Sequence, residues 1–215
     1  MTAEMGVSAI ADEIDHSIQA LEERVTQSIR RVRRQYSTRL KGAAPGDVLA
    51  IAMALMGRHR WVAYELVYHH PNGFDCIGIA EVEALGDGLD GWGSVDAFGR
   101  YISGPAWRLG RITDDDVRLW ACSEDRYWRR AALVSTVPLN LRAAGGTGDT
   151  RRTLDVCALL VADRDDTVVK ALSWALRELV FWNPAAVEQF LAYHSPILAA
   201  CIKREVRNKL TTGRK

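Results

Sequence analysis

A nine-residue pattern that occurs twice decides the fold of this chain: SEDRYWRRA at residues 123–131 and DRDDTVVKA at residues 163–171. The two copies align without a gap at an offset of 40 residues. Asp125 aligns with Asp165 near the start of each copy, where an acidic side chain caps a helix. Each copy ends in alanine, which lets neighbouring helices approach closely. The pattern therefore predicts two successive helices in equivalent positions.

The length of this repeat indicates the architecture. A period of about 40 residues in helical sequence is typical of HEAT-like helix pairs that stack in a curved array. Elsewhere the apolar positions keep helical steps, and no convincing alternating strand pattern occurs. We therefore predict an all-α, HEAT-like helical repeat array with a concave face. Arg130 and Lys170 are equivalent in the two copies, so basic residues of this kind could line that face.

The composition favours one soluble domain over residues 1–215. A net charge of +1, from 28 basic and 27 acidic residues, does not by itself indicate a nucleic-acid-binding protein. No secretory signal is visible in the sequence. The longest apolar run, residues 48–56, is too short for a transmembrane helix. We therefore expect a cytoplasmic protein without a membrane partner. Four scattered cysteines are expected to be small buried residues in a reducing compartment: Cys76, Cys122, Cys157 and Cys201.

Helix boundaries follow from local signals. An apolar stripe from Ile10 to Val32 predicts one long amphipathic helix. Interruptions are expected at Gly57 and at Gly104-Pro105. Helix starts are expected at Asp47, Thr113, Asp149, Asn183-Pro184 and Ser195-Pro196.

The segment WGSVD at residues 92–96 suggests chemistry. If a helix begins near Trp92, the indole and the carboxylate of Asp96 lie on one face, about one turn apart. A ring face and a carboxylate pointing the same way form a receptor for a cation. The alternative is that Trp92 packs in the core and that Asp96 is a surface charge. By periodicity alone Trp174 would also be a core residue.

Three segments together resemble the DNA alkylation repair family of HEAT-like DNA glycosylases, in its AlkD-like branch: WGSVD at 92–96, YWRRAAL at 127–133, and VKALSWALRE at 169–178 followed by Asn183-Pro184. The resemblance is clearest over residues 91–210. It implies a C-shaped stack of helix pairs that holds duplex DNA and excises purines alkylated at N3 or N7. A longer glycine-containing loop at residues 145–148 departs from the family pattern.

The resemblance also implies roles for particular residues. It matches Trp92 and Trp174 to the family's two aromatic residues beside the lesion, and Asp96 to its catalytic carboxylate. Arg130 matches an arginine of the binding cleft. Further basic residues are expected to contact the DNA backbone: Arg129, Lys170, Lys203 and Arg204. We expect no metal, no organic cofactor and no obligate protein partner, and we expect a monomer bound to duplex DNA that contains alkylated purines.

Other interpretations remain open at this point. Arg130 could form an ion pair with Asp125 or Asp96, and Arg177 and Glu178 are more typical of a structural pair within the helix stack than of catalytic residues. The whole protein could be a DNA-structure-binding protein without catalytic activity on the same scaffold. It could also be a helical-repeat scaffold for protein interactions.

Overall fold

A computed structural model describes residues 6–214, which form helices and turns and no strand over that range. The all-α prediction is confirmed. The α-helices in chain order are α1 (Val7–Gln19), α2 (Thr26–Arg39), α3 (Pro45–His69), α4 (Ile79–Gly86), α5 (Trp92–Phe98), α6 (Gly104–Arg108), α7 (Asp114–Ala121), α8 (Arg126–Ser135), α9 (Val137–Asn140), α10 (Thr150–Leu159), α11 (Asp166–Leu179), α12 (Pro184–Tyr193) and α13 (Ala200–Thr212).

The chain divides into two compact units, Met1–Leu85 and Gly86–Lys215. The single domain expected over residues 1–215 stays a prediction. None of the helices described for residues 6–214 combines the length and the apolar surface that crossing a bilayer requires.

In the first unit, the prediction of one long N-terminal helix is wrong. The chain leaves the helix after Gln19 and resumes it at Thr26, and α1 and α2 pack on α3 and on each other. Val25, which continues the apolar stripe, is 52% exposed in the intervening turn. Folding back allows both halves of the stripe to pack against α3. A straight helix over the same stripe would be roughly 35 Å long and could not pack against itself.

Helix α3 also differs from expectation at two points. It begins at Pro45, and Asp47 lies in its first turn, where a negative charge suits the helix dipole, without capping the helix. Gly57 remains helical, and the irregular residue is His59, with φ −140° and ψ 59°. The His59 imidazole lies 2.8 Å from the Asp15 carboxylate of α1, so the kink coincides with a contact between the two helices.

In the second unit, helices α5, α8, α11 and α13 pack in this order. Helix α7 packs against α8, and α10 packs against α11 and α8. The repeat is confirmed at its caps. Asp125 accepts a hydrogen bond from the backbone N–H of Tyr127, and Asp165 accepts one from that of Thr167, each at 2.8 Å. The terminal alanines of both copies are buried at these helix contacts.

The predicted interruption at Gly104-Pro105 is also wrong, because a π-helical turn at Gly99–Ser103 joins α5 to α6 without a break. The glycines serve close packing. A Cβ atom on Gly99 would lie 2.6 Å from the Val134 side chain, and one on Gly104 would lie 2.8 Å from the carbonyl oxygen of Ser135. This run of helix therefore touches α8 almost backbone to backbone.

Most other predicted helix starts are confirmed. Thr113 forms a full capping box with Asp116, and the side chains of Asp149 and Asn183 cap α10 and α12. The predicted start at Ser195-Pro196 is wrong, since these residues lie in a turn and α13 begins at Ala200.

The expectation that the four cysteines are buried is confirmed only in part. Among the four cysteines only Cys157 is buried, while Cys76 and Cys122 are exposed.

The glycine-containing loop before α10 is packed: Gly148 has φ +88°, and a Cβ atom there would lie 2.6 Å from the Trp182 ring. Only glycine fits this position, because it combines a left-handed backbone with an aromatic ring against its Cα.

Candidate functional site

A cavity of about 1110 Å³ lies in the second unit, on the side formed by α5, α8, α11 and α13. Most of the predicted site residues line this cavity. The lining side chains are Trp92 and Asp96 from α5, Arg130 from α8, Thr167, Lys170, Trp174, Arg177 and Glu178 from α11, and Arg204, Glu205, Asn208 and Lys209 from α13.

Helical periodicity explains how α11 contributes to this lining. Lys170, Trp174 and Glu178 follow one another at steps of four residues and therefore share a face of the helix. Leu172 and Leu176 lie on the opposite side and are buried. Trp174 itself is half-buried, so the alternative that placed it in the core is wrong.

Helix α5 presents its first residue and the residue one turn later to the same cavity. The Trp92 side chain is 68% exposed, which excludes the interpretation that it packs in the core. Asp96 follows on the same face, and its side chain is 22% exposed. The structure thus brings together the three residues that were predicted to carry the chemistry, Trp92, Asp96 and Trp174.

Asp96 forms a bidentate ion pair with Arg130. The Nε and Nη2 atoms of the guanidinium each donate a hydrogen bond of 2.9 Å, one to each carboxylate oxygen. The two residues are 34 positions apart in the chain, so this pairing depends on the packing of α5 against α8. A bidentate contact of this kind fixes the plane of the carboxylate as well as its position.

Arg130 has little capacity left for other partners. Its Nη1 group donates to the carbonyl oxygen of Thr167, and the residue is only 5% exposed. Of the two ion pairs left open by the sequence, the pair with Asp96 forms, while Asp125 is engaged in capping α8. The geometry favours Arg130 as a residue that positions Asp96, and its contact with a DNA phosphate stays a prediction.

The predicted pair of Arg177 and Glu178 does not form. Arg177 donates instead to Glu205 of α13, and also to the Ser173 hydroxyl at 2.8 Å. Glu178 accepts a hydrogen bond of 3.1 Å from the indole N–H of Trp174. Neighbours in sequence lie about 100° apart around a helix, so the two side chains reach different partners.

Glu205 is therefore a carboxylate with its own set of donors. The Ser173 hydroxyl donates to it at 2.6 Å, and the Arg177 guanidinium donates to the same oxygen. The Ser173 hydrogen bond, followed by the charges of Arg177 and Arg204, lowers the pKa of Glu205 although partial burial opposes this shift. The Glu205–Arg177 contact joins α11 to α13 at the cavity.

Two cations of the lining remain available. Lys170 and Arg204 are exposed, and neither forms a hydrogen bond or an ion pair with another side chain in the described range 6–214. Lys209 is engaged, because its ammonium donates to the carbonyl oxygen of Gly213 at 2.8 Å and lies 3.9 Å above the Phe181 ring. Lys170 and Arg204 are thus the lining cations that are free to bind an anion.

The other two residues predicted to contact DNA lie outside this lining. Arg129 donates to the Asp163 carboxylate at 2.7 Å and to two backbone carbonyls of the turn before α8. The Lys203 ammonium donates to the carbonyl oxygen of Ser195 at 2.9 Å. Both are therefore already occupied within the protein, and their contacts with DNA stay predictions.

A family model for DNA alkylation repair enzymes matches residues 25–210. The chain belongs to the DNA alkylation repair enzyme family. No curated protein and no solved structure is significantly similar to it. Membership in the family confirms the resemblance and the HEAT-like repeat fold. The match begins at residue 25, so it also covers most of the first unit, where the resemblance in sequence is faint.

Residues 6–214 contain no cluster of three or more histidine, cysteine, aspartate or glutamate side chains placed to hold a metal ion. The expectation that no cofactor is needed stays a prediction.

Glu178 also lines the cavity, although it was expected to form a structural pair with Arg177. Its spacing of four from Trp174 was the available signal.

Proposed function

We propose that this protein is a DNA glycosylase that excises positively charged N3- or N7-alkylated purines from duplex DNA by hydrolysis of the N-glycosidic bond. One observation carries the proposal: two tryptophans and a fixed carboxylate, Trp92, Trp174 and Asp96, line the same cavity. The free cations Lys170 and Arg204 lie in the same lining, where they can bind phosphates.

The proposed substrate explains why this set of residues suffices. A purine alkylated at N3 or N7 carries a formal positive charge, so it is already a good leaving group and needs no general acid. The remaining task is to stabilise positive charge on the sugar and on the departing base. Aromatic faces and a carboxylate are suited to that task.

The two indoles would bind the cationic base. A cation over a tryptophan face gains about 0.5–2 kcal/mol, depending on how far the contact is desolvated. Trp92 supports this role because its ring is largely exposed in the free protein and can meet a base without rearrangement of the core. A contact that strengthens as the glycosidic bond breaks raises the rate as well as the affinity.

Asp96 would stabilise the oxocarbenium-like sugar and orient the attacking water. A carboxylate offers about four lone-pair sites, and the two hydrogen bonds from Arg130 leave the others for water or sugar. Arg130 also keeps the carboxylate from rotating away, which is the preorganisation that electrostatic catalysis requires.

The test is release of the alkylated base from duplex DNA that contains 7-methylguanine, after subtraction of the release that occurs without protein. Asp96→Asn keeps the shape of the side chain and removes its charge. We expect base release to slow by roughly a hundred- to a thousandfold, which corresponds to a loss of about 2–4 kcal/mol, at nearly unchanged affinity for DNA. Parental rates in this variant would mean that Asp96 is structural.

Asp115→Asn is the matched control, because Asp115 lies on α7 with an 83% exposed side chain, outside the cavity lining. It should release base at the parental rate. Because Asp96→Asn leaves Arg130 without its partner, urea unfolding of each variant must accompany the rates, so that a fall in activity is not caused by a loss of folded protein.

A DNA-structure-binding protein without catalytic activity is the second candidate. It is favoured by the engagement of both Asp96 oxygens with Arg130 in the free protein. This candidate predicts salt-dependent DNA binding without base release. A protein-interaction scaffold predicts neither, because phosphate contacts are what make log affinity fall linearly with log salt.

A further inference from the structure

The three carboxylates that line the cavity differ in their charge balance. Asp96 is paired with Arg130, and Glu205 is paired with Arg177. Glu178 has no cation within ion-pair distance in the part of the chain that the structure describes. Its hydrogen-bond partner is the indole N–H of Trp174, which carries no formal charge. Glu178 therefore supplies the cavity with negative charge that no ion pair offsets.

The same contact fixes the orientation of Trp174. Glu178 lies four residues after Trp174 on α11, so the two side chains share one face and meet within a single helical turn. Indole has one N–H donor, and the hydrogen bond to Glu178 uses it. Rotation of the ring about its side-chain bonds would break this hydrogen bond. The ring is thereby held in one orientation at the cavity that Trp174 lines.

An anionic acceptor also changes what the ring can bind. A hydrogen bond to a carboxylate is stronger than one to a neutral acceptor, and linked hydrogen-bonding groups polarise one another. The indole then presents a more electron-rich face to a cation, and the nearby negative charge adds direct attraction. Both effects act on the charge of a bound base and leave a neutral base of the same shape largely unaffected.

We infer that Glu178 is a positioning and specificity-determining residue: it orients Trp174 and makes the cavity prefer a cationic purine over a neutral isostere. This inference rests on the proposed function. It extends that function by assigning the choice of charged over neutral bases to Glu178 and Trp174, beside the role of Asp96 in bond cleavage.

The first experiment measures the orientation of the indole without DNA. In ¹⁵N-labelled protein, the indole N–H resonance of Trp174 is assigned as the one that disappears in Trp174→Phe. In Glu178→Ala we expect it to move to the position of an indole without a carboxylate partner. Glu178→Gln retains an oxygen acceptor, so its resonance should lie between those of the alanine variant and the parent. An unchanged resonance in both variants overturns the positioning role.

The second experiment measures charge selection. Binding is compared for two duplexes that contain either 7-methylguanine or its neutral isostere 7-methyl-7-deazaguanine, in times short compared with base release. We expect Glu178→Gln to reduce the preference of the parent for the charged base by about threefold to tenfold, in line with the strength of cation–aromatic contacts. Affinity for undamaged duplex should be unchanged or higher, because an anion has been removed from a surface that binds phosphates.

Glu188→Gln is the matched control. Glu188 is exposed on α12 and lies outside the cavity lining, and its substitution changes the net charge by the same amount. It should keep the preference of the parent for the charged base. An equal loss of preference in both variants would show an effect of net charge alone and would overturn the role of Glu178.

The two hypotheses can fail separately. A parent protein that releases 7-methylguanine but binds both duplexes equally overturns charge selection and leaves the proposed function intact. A parent that neither releases the base nor prefers it overturns both. The indole resonance still decides whether Glu178 orients Trp174, because that measurement requires no DNA.

Discussion

Helices α8 and α11 begin with the same pattern but use its basic position in different ways. Arg130 is 5% exposed and bonded to Asp96, whereas the equivalent Lys170 is exposed and lies in the cavity lining without a polar partner in the described part of the chain. The repeat therefore determines where each helix starts and how closely it packs. The role of the basic side chain depends on what the neighbouring helix presents to it.

The aromatic position of the repeat shows the same contrast. Trp128 of α8 packs with Phe98 and Trp120, at ring-centroid distances of 5.8 and 5.2 Å. Its counterpart in α11 is Val168, which is completely buried. One repeat position thus carries a half-buried tryptophan in α8 and a buried valine in α11. Equivalence in sequence does not determine which neighbours are contacted.

The largest effect should come from removing the basic group at the paired position. Arg130→Met leaves the Asp96 carboxylate without its partner in a partly buried site, so we expect the free energy of unfolding to fall by about 2–3 kcal/mol. Lys170→Met, at the equivalent position of the next repeat, should change it by less than about 0.5 kcal/mol. Urea unfolding measures both, and equal losses would contradict the contrast between the two helices.

The helices that precede α8 and α11 are joined by Asp114. It accepts hydrogen bonds from Arg151 and Arg152 of α10, each at 2.8 Å, and from the Trp107 indole N–H at 2.9 Å. Burial raises its pKa, but these hydrogen bonds outweigh that effect and lower the pKa from 3.8 to about 2. The link between α7 and α10 therefore depends on pH.

A lowered pKa in the folded state stabilises the protein above the unfolded pKa, and this stability is lost as the pH falls through the folded value. From the difference between 3.8 and about 2 we expect the Asp114 carboxylate to contribute about 2 kcal/mol at pH 6. The difference in unfolding free energy between the parent and Asp114→Asn should shrink between pH 4 and pH 2. A difference that stays constant over this range would contradict the assignment.

The smallest effect should appear in the salt dependence of DNA binding. Lys170→Gln removes a free cation, so the slope of log affinity against log salt should flatten by about one unit, equally for damaged and undamaged duplex. Lys203→Gln is the comparison, because that ammonium is already bonded to the carbonyl oxygen of Ser195. We expect a smaller change in its slope. Unchanged slopes in both variants would mean that neither lysine contacts DNA.

Several features of the site were predictable because they depend on one helix at a time. The common face of Trp92 and Asp96 follows from a spacing of four residues, and the caps at Asp125 and Asp165 follow from bonds that reach only two or three residues along the chain. The same reasoning from Trp174 leads to Glu178. The pairing of Arg177 with Glu205 was not predictable in this way, because it joins two helices.

The errors in the fold have a similar origin. The apolar stripe of the N-terminal helices keeps its period through the turn after Gln19. The local sequence pattern therefore does not indicate that the chain folds back onto α3. Gly104-Pro105 has the composition of an interruption, yet its glycine allows close packing against α8 and a π-helical turn accommodates the proline. In both places tertiary packing outweighed the local signal.

The sequence by itself determined the helical class, the repeat offset of 40 residues and most helix caps, since these depend on periodicity and on hydrogen bonds between near neighbours in the chain. Only the tertiary structure decided that Arg130 is bonded to Asp96 and that Lys170 is free. The physical reason is distance along the chain: a contact across 34 residues depends on how α5 packs against α8, which no local pattern specifies.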